Sequence, residues 1–247
     1  MTVLVGIHCS DGVVIGADSS STFAAGPGRN TIEQPSEKIT VIDGKLIIAG
    51  TGAVGLSQRY CAAVESSWRD RKLVGKSPTD FGKALCQIGL IDFEQTGVKL
   101  GNVPFGALVA FPTRVGAQLC ELEYGSFQPE LKSGLWYVSM GGGQSVTDPL
   151  LGLMRRAFWK DGRPTVEDGI FAVMWALEHA IRLNTGGVNG PPRVAVLRGD
   201  SASMLDEERL REHEQNVEAI YDYIGRFPEE LRRPGTASTP PMPIPPP

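Results

Sequence analysis

Residues 2–18 read TVLVGIHCSDGVVIGAD. Two apolar, β-branched runs, residues 2–9 and 12–18, flank Ser10, Asp11 and Gly12. β-branched side chains suit a pleated, buried surface, and the three residues between them carry turn chemistry, so the stretch predicts a β-hairpin. Thr2 stands directly behind Met1, where most folded domains leave a few slack residues. Removal of Met1 would make it the first residue of the chain. A threonine hydroxyl is a weak nucleophile without a base, and an N-terminal threonine brings one in its own α-amino group, whose reference pKa lies near ~8.

Reading outward, a second hairpin is predicted from residues 38–42 (KITVI) and 45–49 (KLIIA), because Asp43 and Gly44 between them tolerate the positive φ angles of a tight turn. Residues 19–37 hold two glycines and two prolines and read as a loop free to lie over a cleft. Helical spacing follows over residues 55–72, and Ser77, Pro78 and Asp80 open a second helix in the manner of an N-cap, a first-turn proline and a first-turn acid. Strand patterns return at residues 105–111, 115–124 and 135–140. A helix over residues 145–159 and another capped by Thr165 and Asp168 precede a strand at 193–197 and an amphipathic helix at about 205–224. This order indicates an α+β protein. An αββα sandwich accommodates it, since each sheet must cover two faces, and periodicity leaves other α+β arrangements open.

The 247 residues, 41% of them hydrophobic, suffice for one core. We expect a single domain over residues 1–227 and an extended, disordered proline-rich tail, PEELRRPGTASTPPMPIPPP, over 228–247. A net charge of -4 leaves no basic surplus, so neither nucleic acid nor an anionic membrane is the expected partner. No apolar run approaches the ~20 residues of a membrane helix, and no signal-peptide pattern opens the chain. Cys9, Cys61, Cys86 and Cys120 are isolated in apolar surroundings and read as buried thiols of a reducing, cytoplasmic compartment. His8, His179 and His213 stand apart from one another and read as packed or surface residues. No metal or cofactor is expected.

Asp18 and Lys38 are the candidates for tuning a threonine amine. A lysine held by a carboxylate next to it would disfavour the ammonium form of the amine and stabilise oxyanion charge. Taken singly, Thr2 also reads as a strand start, Asp18 as a turn residue and Lys38 as an edge charge. Together, TVLVG, DGVVIGADSSST, the Lys38-Ile39 pair and IIAGTGA resemble the proteasome β-subunit pattern. The resemblance is specific over residues 2–55, and the later element order follows it to about residue 200. It is nearest to divergent bacterial homologues, the betaproteobacterial proteasome homologue and Anbu groups, and more distantly to HslV.

The resemblance implies a four-layer αββα sandwich of the N-terminal-nucleophile (Ntn) hydrolase kind. It implies Thr2 as nucleophile and base, Asp18 and Lys38 as its supports, and Gly50 as a backbone oxyanion donor. Thr22 would pair with an extended peptide substrate, and Gly52 would line the same groove. It further implies self-assembly into stacked rings of six or seven subunits, peptides or unfolded proteins as substrates, and an ATP-dependent unfoldase as a partner to consider. Two departures weaken the implied support. Gly142 stands where the family carries a serine between glycines, with Ser145 nearby, and Arg182 and Thr185 stand where it carries an acid and a serine. An active amide hydrolase, a weak or silent ring-forming relative and a non-peptide amidase all fit this pattern.

Overall fold

The computed structural model describes residues 2–23, 32–99, 101–183 and 187–231. Its first sheet contains β1 (Val3–His8), β2 (Gly12–Ala17), β10 (Tyr137–Gly141), β11 (Arg193–Arg198) and β12 (Ser201–Met204), in the antiparallel order β10-β1-β2-β11-β12. The second contains β5 (Ile39–Ile42), β6 (Leu46–Gly52), β7 (Phe105–Thr113), β8 (Gly116–Leu122) and β9 (Pro129–Leu131), ordered β5-β6-β7-β8-β9. Helices α1 (Val54–Arg69) and α2 (Pro78–Glu94) cover the second sheet, while α3 (Gln144–Phe158) and α4 (Val166–Arg182) cover the first. A fifth helix, α5 (Glu207–Leu231), packs on α4 through Leu210, Val217 and Ile220.

The period-two alternation of each strand builds these layers. Along β1, Leu4 enters the core between the sheets, where it joins Ile15, Ala49, Leu108 and Leu197. Val3, Val5 and Ile7 face the other way, into the layer under α3 and α4. Strands covered on both faces read as nearly continuous apolar runs, which is why residues 2–18 show little polar alternation. Gly16 lets α4 approach β2, because a Cβ there would run into Val173 and Leu177. The expected four-layer αββα sandwich is therefore the fold.

Local signals are realised as read. Ser77 accepts from the Asp80 N–H at 3.2 Å, and Thr165 and Asp168 form a reciprocal capping box. Three expectations change. The segment at 19–37 contains a small hairpin, β3 (Ser20–Phe23) paired with β4 (Ile32–Pro35), whose polar sequence gives no buried face to detect. Strands β9 and β12 appear where connections were expected, because three- and four-residue edge strands carry too little periodicity. Helix α5 continues through Pro228 to Leu231, past the expected boundary at residue 227. The rest of the tail lies outside the described residues. No helix among the described residues is long and apolar enough to cross a membrane.

Candidate active site

Thr2 lies at the entrance to β1, on the wall of a cleft of about 700 Å³. Ser21 from the small hairpin, Thr51 and Gly52 from the end of β6, Val54 from α1, Tyr124 and Gln144 share that wall. Among the described residues no charged side chain lines it. Two neighbouring strands and the turn before α3 set the position of Thr2. Val3 pairs with Gly141 of β10, Leu4 pairs with Ala17 of β2, and the Gly143 N–H donates to the Thr2 carbonyl at 3.4 Å. The turn comes this close because it is glycine: Gly141 has φ +91°, and a Cβ there would press into the Thr2 carbonyl.

Asp18 ties the site together. Its side chain is fully buried, and its Oδ1 accepts from Lys38 Nζ at 2.7 Å and from the Val3 N–H at 2.9 Å. One carboxylate oxygen thus holds the lysine ammonium against the residue that follows Thr2. Oδ2 accepts from the Asn189 N–H at 3.4 Å, on the connection after α4. The Asp18 N–H in turn donates to the Val3 carbonyl at 3.3 Å. The Lys38 side chain is only 5% exposed, and this burial pushes its pKa below the ordinary lysine value, with Asp18 pulling it back up. An ammonium poised to lose its proton more readily than a surface lysine, held by an acid, suits electrostatic support of an amine and a hydroxyl.

The other expected residues divide. Gly50 is dictated by packing, since a Cβ would meet Ser57 Oγ and the Phe105 ring. Its N–H donates to the Lys38 carbonyl at 3.1 Å, so an oxyanion must share or displace that bond. Gly52 lines the cleft with φ +105°. Thr22 lies on β3, which belongs to a two-stranded sheet and has one edge without a strand partner among the described residues, open to an extended chain. Gly142 is exposed on the cleft wall, and no side-chain hydroxyl comes from that position. Ser145 is exposed in the first turn of α3 and is not one of the cleft-lining residues. Arg182 turns away to α5, where it pairs with Glu218 and lies 5.2 Å from the Tyr221 ring centre, and it also pairs with Glu178 of its own helix. Thr185 lies outside the described residues.

Sequence reading missed Thr51, Tyr124 and Gln144 as cleft residues. Thr51 carried a signal, lying between Gly50 and Gly52, and Gln144 a weaker one, two residues past Gly142; Tyr124 carried none. Gln144 is anchored by its Nε2 donating to Asp148 Oδ2 at 3.0 Å, and Ser139 Oγ donates to Oδ1 of the same carboxylate at 2.5 Å. The histidines and cysteines are not among the cleft-lining residues. All four cysteines are free thiols, and burial pushes the Cys120 pKa up to about 12, which suppresses the reactive thiolate. Among the described residues no group of three or more His, Cys, Asp or Glu side chains could hold a metal ion.

A buried acid–lysine pair beside a threonine that follows Met1, on a cleft in a sandwich of two sheets between helices, fits a proteasome-like Ntn-hydrolase framework. A model of the family described as "Proteasome subunit" matches residues 2–182, and the chain belongs to that family. Comparison with curated proteins finds no match.

Proposed function

We propose that the chain is a threonine-type hydrolase of amide bonds, with Thr2 as nucleophile once Met1 has been removed. The observation that carries the reading is the Asp18 bridge, whose single oxygen joins Lys38 Nζ to the Val3 N–H directly beside Thr2. The freed α-amine takes the Thr2 hydroxyl proton as Oγ1 attacks the substrate carbonyl. It then delivers that proton to the leaving amine, and water attacks the acyl-enzyme, regenerating the threonine. The Gly50 N–H serves the oxyanion by releasing the Lys38 carbonyl. An extended peptide pairs with β3 at Thr22 and passes Gly52 on the cleft wall. Self-association into stacked rings of six or seven subunits would enclose these clefts, as in the divergent bacterial groups that the sequence resembles.

A second reading, a slow or silent ring-forming relative, is favoured by two observations. No hydroxyl projects from Gly142, and Arg182 is occupied on α5. One experiment separates the two. Intact mass first establishes that Met1 is absent, and the protein is then treated with a β-lactone that acylates N-terminal threonines. Labelling of Thr2, lost in Thr2→Ala, with turnover of fluorogenic peptides supports the active hydrolase. Retention of Met1, or no adduct on Met1-free protein, rejects it. A monomer by native mass rejects the ring.

A further inference from the structure

The end of β6 carries a hydroxyl that the proposed reaction has not used. Along this strand Leu46 and Ile48 face α1 and α2, while Ile47 and Ala49 face the other sheet. Continued alternation turns Gly50 toward α1, where Ser57 lies, and turns Thr51 into the space between the sheets. The apolar core stops there: beyond Ala49, the next side chain on that face is a threonine, only 8% exposed. Its Oγ1 is 3.1 Å from the point a Cβ on Gly141 would occupy, and that same point abuts the Thr2 carbonyl. Thr51 also lines the Thr2 cleft.

No hydrogen bond reaches the Thr51 hydroxyl among the described residues, although its backbone pairs with Gly106 in the β6–β7 ladder. A valine would fill the same volume but present no hydroxyl to the cleft. Strand propensity accounts for a β-branched residue here and leaves the hydroxyl unexplained. A hydroxyl that opens onto the same cleft as Thr2 and makes no hydrogen bond to the described residues is available to a group that the chemistry exposes there.

The geometry points to Thr51 as a positioning residue for Thr2: its hydroxyl hydrogen-bonds the freed α-amino group, supplying from β6 what Gly142 does not supply from the turn. This rests on the hydrolase reading. The test compares wild type, Thr51→Val and Thr51→Ser, each confirmed free of Met1, by the concentration dependence of Thr2 labelling with a small β-lactone. Thr51→Val is expected to lower the limiting labelling rate about tenfold, the loss of one hydrogen bond at the reacting group, with half-saturation within about twofold. Thr51→Ser restores the rate to within about threefold. The melting temperature of Thr51→Val stays within a few degrees, because the hydroxyl faces the cleft and makes no hydrogen bond to the described residues. An unchanged limiting rate in Thr51→Val, or a loss that Thr51→Ser does not restore, overturns the assignment while leaving a labelled hydrolase. A wild type that takes no label overturns the hydrolase reading and this assignment with it.

Discussion

Replacing Glu178 by glutamine tests the seam between α4 and α5, to which the structure assigns Arg182. Glu178 is 6% exposed, its Oε1 is buried without a hydrogen-bond partner among the described residues, and its Oε2 is 3.5 Å from Arg182. Burial raises its pKa from 4.5 to about 7, with Arg182 pulling it down and Glu214 pushing it up. An acid whose pKa is higher in the folded state stabilises the fold most below its unfolded pKa. That contribution is lost as pH rises from about 4.5 to about 7. At ~1.4 kcal/mol per pH unit, the loss amounts to roughly 3 kcal/mol. Glutamine keeps the shape and an acceptor for Arg182 without the charge. Urea unfolding followed by circular dichroism, at fixed protein concentration and ionic strength, is to be measured at pH 4.5, 6 and 8. The variants should match near pH 4.5, and Glu178→Gln should be more stable by roughly 2–3 kcal/mol at pH 8. His213, whose pKa burial pushes down, contributes with the opposite sign, but it is common to both proteins and cancels in their difference. A difference that does not change with pH would refute the buried-carboxylate reasoning.

Asp18→Asn leaves the Lys38 ammonium buried without its counter-charge. It is expected to cost about 3 kcal/mol in denaturant unfolding and to slow β-lactone labelling of Thr2 about 100-fold. Gly52→Ala forces a side chain into φ +105° and against the Pro104 carbonyl. It should lower stability by about 2 kcal/mol, read as a fall of several degrees in melting temperature. Arg182→Ala removes a half-exposed pair with Glu218 and the cation facing buried Glu178, so labelling should stay within about twofold while stability falls by about 1–2 kcal/mol. A large loss of labelling in that variant would place Arg182 in the site after all.

Much of the fold was legible because local physics and tertiary need coincide. The runs at 2–18 and 38–49 are long, β-branched and broken by turn residues, so they could form little but buried hairpins. Ser77 and Thr165 announced their helices through caps that need only neighbours in sequence. The hairpin β3–β4 and the edge strands β9 and β12 were not legible, since short polar strands are defined by the ladder they join.

The candidate site divides in the same way. Thr2, Asp18, Lys38 and the glycine-rich segments stood out by residue type and order, and their identities follow from the sequence alone. Only the tertiary structure decided what each touches. It put one Asp18 oxygen between Lys38 and Val3, committed the Gly50 N–H to the Lys38 carbonyl, carried Arg182 off to α5 and brought Thr51 to face Gly141 beside Thr2. The reason is the sandwich itself. The sequence sets which face of a strand a side chain occupies, whereas the partner it meets belongs to another sheet, far away in the chain, and is chosen when the two sheets pack.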